Sequence, residues 1–154
     1  MDRPQCRGDL AHEVPRPVVI VMAPAELSSR ARWHEEQGRS FLALDLSRAT
    51  PEESLALLAE IANVIKDQEW PVHVLIDATE AAYEPGISNK WKALWMQQHA
   101  KIAAIAIYGS SGIVGLSMRS YVEAMVLLGL PQASQKMRFF PTRAAAMTWL
   151  VKKD

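Results

Sequence analysis

No disulfide can form within this chain of 154 residues, because Cys6 is its only cysteine. It sits in the polar, proline-bearing opening MDRPQCRGDL, where nothing nearby would lower its pKa, and it reads as an exposed thiol without a role. An excess of one charge is missing too: 17 lysines and arginines meet 17 aspartates and glutamates. That balance removes the general attraction to nucleic acid that a basic domain carries. It also leaves little repulsion between copies, which permits a homodimer. No run approaches the roughly 18 apolar residues of a membrane helix, and the opening lacks the apolar segment of a signal peptide. The expectation is a cytoplasmic protein with no integral membrane segment. The histidines, His12, His34, His73 and His99, are scattered, and none has His-x-x-x-His spacing or a cysteine partner. No zinc pattern results, and no metal or cofactor is expected.

Almost half the residues are apolar, which suits one domain with a proper core and argues against disorder. Met1 to about Arg16 reads as a flexible tail broken by prolines, and residues 17–154 as a single α/β domain. PVVIVM (Pro17–Met22) is a short apolar run consistent with a strand. Gln37-Gly38 predicts a hairpin turn, with Phe41, Leu42, Ala43, Leu44 and Leu46 on the clearer second arm. The first arm, with Arg30, Arg32, Glu35 and Glu36, suits an edge strand and a helix equally. Thr50-Pro51-Glu52-Glu53 is the best local signal: threonine to cap, proline at the first helical position, Glu53 to complete a capping box. Leu55, Leu58, Ala62 and Ile65 then recur at helical spacing, to about Asp67 or Gln68.

PVHVLIDAT (Pro71–Thr79) and KIAAIAIYG (Lys101–Gly109) are apolar nearly throughout, as parallel strands buried on both faces are. A helix beginning near Ser88 lies between them, with Ile87, Trp91, Leu94, Trp95 and Gln98 along one side. Ile113 to Leu128 reads as a helix ended by Gly129 and Pro131. MRFF (Met137–Phe140) is a short further strand, and Thr142 caps a last helix carrying Ala145, Ala146, Trp149 and Leu150. Alternation of strand and helix predicts one mixed, mostly parallel sheet with an antiparallel leading hairpin and helices on both faces.

Three strings carry a resemblance: FLALDLSRATPEES, VHVLIDATEA, and KIAAIAIYGSSG continuing to MRFFPTRAAAMTWL. The last resembles the C-terminal signature of bacterial STAS-like domains, fold kin of anti-sigma-factor antagonists and of CRAL-TRIO lipid-binding domains. In that signature a short strand with paired aromatics leads into a helix, here marked by Phe140, Ala146, Trp149 and Leu150. The resemblance covers about Phe41 to Leu150 and implies a STAS-like fold. Its positions are mostly packing positions, so it says much less about activity. Antagonists that are switched by phosphorylation carry a serine pair shortly after the strand-end aspartate. DATEAAYEPGIS has Glu84, Pro85 and Gly86 there instead, with Ser88 two places late. No phospho-switch is carried over.

Candidate site residues lie at the strand ends and on the tryptophan helix. Gly109-Ser110-Ser111-Gly112 follows a strand, where ligands bind in open α/β sheets and where free N–H groups of a helix start can hold an anion. The glycine spacing (109, 112, 115) is neither the dinucleotide fingerprint, nor a P-loop, nor a nucleophile elbow. A tight turn with Ser110 or Ser111 as helix cap is the plainer reading. Asp77, with Thr79 just beyond, ends the central strand. It suits a turn-fixing acceptor better than a catalytic acid or metal ligand, and Asp45 reads the same way. Trp91 and Trp95 meet on one helical face, either in the core or as a contact surface. Trp149 and Trp70 read as core or edge packing.

The function these signals imply is a non-catalytic regulatory or interaction module that binds a partner protein or a small apolar or anionic ligand. Asp77, Thr79, Trp91, Trp95, Ser110 and Ser111 are its candidate contacts. Two alternatives stand beside it. One is a carrier of an apolar or acyl ligand beneath a mobile tryptophan-bearing helix. The other is an enzyme or anion binder using Asp77 and the Gly109–Gly112 loop.

Overall fold

The computed structural model describes residues 27–82, 85–110 and 135–153, with positions 119, 120, 123 and 127. The expected tail, with Cys6 and His12, the expected strand Pro17–Met22, Ser111, and most of the expected Ile113–Leu128 helix lie outside the described residues.

Strands β1 (Ala31–Glu36) and β2 (Arg39–Asp45) form the leading antiparallel hairpin, registered from Ala31 opposite Leu44 to Glu36 opposite Arg39. Gln37 (φ 51°) and Gly38 (φ 75°) turn it, both in the left-handed region. A two-residue turn of that kind matches the twist of the strands it joins. β2 then pairs in parallel with β3 (Val72–Asp77), β3 with β4 (Ile102–Tyr108), and β4 with β5 (Met137–Phe140). The sheet order is β1-β2-β3-β4-β5, one mixed sheet, parallel beyond its leading hairpin, as the alternating pattern implied.

Helix α1 (Pro51–Lys66) starts as its sequence dictates. The Thr50 hydroxyl accepts the Glu53 N–H at 3.2 Å, while the Glu53 carboxylate accepts the Thr50 N–H at 2.8 Å. Its buried stripe is Ser54, Leu57, Leu58, Ile61 and Ile65, turned slightly from the expected one, with Leu55 and Ala62 only half-buried. Helix α2 (Pro85–Gln98) begins three residues before Ser88, since proline is at home in the first turn. The Thr142 hydroxyl accepts the Ala145 N–H at the start of helix α3 (Arg143–Lys152).

The two sheet faces have separate cores. α1 and α2 cover Leu42, Leu44, Val74, Ile76, Ile105 and Ile107. α3 covers Phe41, Leu75, Ala104 and Ala106 with Ala146, Met147 and Leu150. Alanines meeting across the second face let the short helix sit close to β3 and β4. Its far end is clasped by the sheet. The Arg39 guanidinium donates to the carbonyls of Leu150 (3.3 Å) and Lys153, and His73 Nε2 lies 3.0 Å from the latter. A cation at helix-terminal carbonyls is the favourable sign.

Trp149 packs on Phe140 at 5.5 Å between ring centres, whereas Trp70, expected at a packed position, is 78 % exposed in the turn after α1. Among the described residues no helix is long and apolar enough to cross a membrane. Thr50→Ala removes the hydroxyl that opens α1. It should cost about 1 kcal/mol, read as a fall in Tm of roughly 2–4 °C by differential scanning calorimetry for a domain of this size.

Candidate functional site

The two tryptophans of α2 lie in the core. Trp91 is 6 % exposed and Trp95 1 %, packed with Leu94 into the α1-side cluster. The shared face expected from the sequence exists, but it faces α1 and the sheet, so its reading as an open contact surface is corrected. Large aromatic surfaces on one stripe gain most by burial, and α1 offers the apolar face to receive them. Gln98 Nε2 adds a hydrogen bond to the Ala62 carbonyl at 2.7 Å. The indole N–H groups of Trp91 and Trp95 have no hydrogen-bond partner among the described residues. α2 is therefore held mainly by apolar burial.

The polar chemistry gathers at the carboxyl ends of the parallel strands. Asp45 ends β2, Asp77 ends β3 opposite it, and Tyr108 ends β4 opposite Asp77. The two aspartates repeat one device. Asp45 Oδ1 accepts the Ser47 N–H at 2.9 Å and the Ser47 hydroxyl, and Asp77 Oδ1 accepts the Thr79 N–H at 3.0 Å. Such side-chain turns end a strand without leaving the next N–H unpaired. The turn-fixing role expected of both residues is thus seen directly.

These three residues line a cleft of about 160 Å³ with Arg30, Arg32 and His34 from the hairpin side and Arg143 from α3. The cleft opens on the α3 side of the sheet. Arg32 and His34 stand opposite Ala43 and Phe41 in the hairpin register, and α3 rests on β3 to β5; among the described residues no helix packs over the hairpin end of that face. Arg30 is committed to structure. It donates to the carbonyls of Asp45 and Ser47, both at 3.1 Å, and pairs with Glu53 at 3.3 Å. Arg32 and Arg143 are exposed, with no hydrogen bond or ion pair among the described residues.

Electrostatics differ along the lining. The Ser47 hydroxyl, then its N–H and the nearby Arg30 and Arg32 guanidiniums, hold the Asp45 carboxyl below the usual carboxylate range against a smaller opposing effect of burial. Burial, reinforced by the charge and hydrogen bonding of the Asp77 carboxylate, pushes the Tyr108 phenol up to about 12. At neutral pH the phenol is therefore a donor and no base.

Of the expected site residues, Asp77 lines the cleft, while Thr79 and Ser110 sit beside it outside the lining. Gly109 itself is closely packed. Gly109 has φ 75°, and a Cβ there would stand 2.2 Å from Thr79 Oγ1. Whether a serine caps the following helix falls outside the described residues. Sequence reasoning missed Tyr108, Arg32 and Arg143 as cleft residues. Tyr108 had a signal: it is the last strand residue before Gly109, as Asp45 and Asp77 are last before their turns. The arginines had none, since only the fold brings β1 and α3 to one edge. Among the described residues no group of three His, Cys, Asp or Glu is placed to hold a metal ion.

No protein-family model and no curated protein matches the chain. Among solved structures it is similar to an uncharacterised protein of the DUF3478 family with a SpoIIAA-like fold from Shewanella loihica PV-4. The TM-score is 0.54 and the identity 17 %, over 78 % of this chain and 91 % of that one. The fold is SpoIIAA-like. That is the STAS-like architecture implied by the strings around Phe41, Asp77 and Trp149. In this SpoIIAA-like frame the cleft occupies the edge where β2, β3 and β4 end.

Trp95→Ala should cost about 3–5 kcal/mol in urea unfolding, as a buried aromatic does, whereas loss of an open contact residue would leave stability nearly unchanged. Tyr108 should ionise near pH 12 in an ultraviolet titration, isolated by difference from Tyr108→Phe. Its folded pKa lies above the ordinary 10, so the stability held by the neutral phenol is complete below pH 10 and is lost as pH rises through 12. Asp77→Asn removes the neighbouring negative charge and should bring that midpoint down, with burial keeping it above 10.

Proposed function

We propose that this protein is a non-catalytic binding module of the STAS-like type, and that its point of contact is the cleft at the carboxyl ends of β2, β3 and β4. The observation that carries this reading is the convergence of Asp45, Asp77, Tyr108, Arg32 and Arg143 on one opening of about 160 Å³. Ligands of open α/β sheets sit at this edge, and a concave site with a few convergent polar groups is the usual form of a small-molecule site. The chemistry of the lining favours holding over turning over. Each aspartate fixes a strand-end turn, and the phenol keeps its proton at neutral pH. A small polar ligand, or a polar side chain of a partner protein, fits such an opening. An apolar carrier would need room beneath α2, where Trp91, Leu94 and Trp95 are themselves part of the core.

A screen of small polar fragments by amide NMR tests the reading. Hits should gather on residues 43–45, 75–79, 108–110 and 143, with no fragment turned over. Hits centred on α2, or turnover abolished by Asp77→Asn, would overturn it.

A further inference from the structure

We propose that the cleft takes a small amphoteric anion of the amino-dicarboxylate class, a molecule with an ammonium between two anionic ends. This rests on the reading of the cleft as a binding site and adds the identity of what it holds. The order of charge across the strands supplies the specificity. Arg32 stands on β1, Asp45 ends β2, Asp77 ends β3, Tyr108 ends β4 and Arg143 opens α3. From the hairpin inward the lining runs from Arg30 and Arg32, with His34, through the two aspartates and the phenol to Arg143.

The middle of that order calls for a positive charge. Neighbouring strands lie about 4.8 Å apart, so the aspartates at paired register positions present two carboxylates side by side. Side by side, these carboxylates offer acceptor oxygens to a cation. Arg30, whose charge already acts on Asp45, has donors committed to two carbonyls and Glu53. On Asp45, Oδ1 is taken by Ser47, and Oδ2 has no hydrogen bond among the described residues. An ammonium has three donors to spread over such acceptors.

The ends call for the opposite charge. Arg32 and Arg143 have no hydrogen bond or ion pair among the described residues, and both line the cleft. A guanidinium pairs with a carboxylate through two parallel hydrogen bonds, while the Tyr108 phenol is engaged by the Asp77 carboxylate. Arg32 stands on β1 beside β2, and Arg143 enters from α3, which packs on β3 and β4. One ligand can thus meet both guanidiniums across the two aspartates. A volume of about 160 Å³ is close to that of a cavity that accepts benzene, which suits a compact molecule whose charged ends reach outward. A simple dicarboxylate would set its charge against Asp45 and Asp77, and a simple diamine would leave both arginines unmatched.

Amide NMR titration of the full chain with L-glutamate is the test, with glutarate as the same skeleton lacking the ammonium and 1,5-diaminopentane as the cationic control. L-glutamate should shift the amides of residues 43–45, 75–79, 108–109 and 143–145 saturably. Glutarate should bind at least tenfold more weakly. Arg32→Ala and Arg143→Ala should each weaken L-glutamate at least tenfold with Tm unchanged, since both side chains are exposed. Glutarate binding as tightly as L-glutamate at the same amides would overturn the ammonium assignment while leaving the cleft a binding site. L-glutamate binding indifferent to both arginine substitutions would overturn it too. Silence at these amides with all three probes would remove the proposal and the cleft reading together.

Discussion

Burial of β3 on both faces at once is the constraint on which the rest of the molecule depends. Val72, Val74 and Ile76 point to one face and Leu75 to the other, and all are nearly inaccessible to water. A strand of that composition is stable only with a neighbour on each edge and a covering layer on each side. β2 and β4 supply the edges, α1 and α2 one layer, α3 the other. Apolar surface is thereby spent along the middle of the strands, and polar groups are left to their ends. The cleft is the residue of that division, formed where the strands stop and α3 does not reach.

The two layers differ in how they are made. On the α1 side large branched and aromatic side chains fill a thick space between sheet and helices. On the α3 side Ala104, Ala106 and Ala146 bring helix and sheet into close approach. A close-set helix cannot also cover the hairpin, because small side chains do not bridge the distance to β1. Arg32 and His34 consequently stand beside Ala43 beyond the reach of α3, and a charged edge strand also resists pairing with other chains.

Much of this is legible in the sequence. The hairpin turn at Gln37-Gly38, the capping box at Thr50, the parallel strands ending at Asp77 and Tyr108, and the cap at Thr142 all carry local signals in turn chemistry and period. α2 was legible as an amphipathic face but not in its destination, since a Trp-Leu-Trp stripe reads alike whether it meets a core or a partner. Only the placement of α1 decides it. The site was legible in part. Asp77 was visible as a strand-end carboxylate, and its turn was foreseen. Arg32 and Arg143 were not, because they come from opposite ends of the chain and no spacing rule links them.

The clasp at the end of α3 has a temporal meaning. Arg39 and the Lys153 carbonyl it holds are 114 positions apart. Contacts so distant in sequence form late, because loop-closure entropy is overcome before they stabilise anything. During synthesis β1 to β4 emerge well before α3, with Phe41, Leu75, Ala104 and Ala106 still waiting for their cover. Arg143 arrives with that helix. The cleft is therefore one of the last features of the molecule to exist, and only a chain that has closed its second layer presents the whole of it.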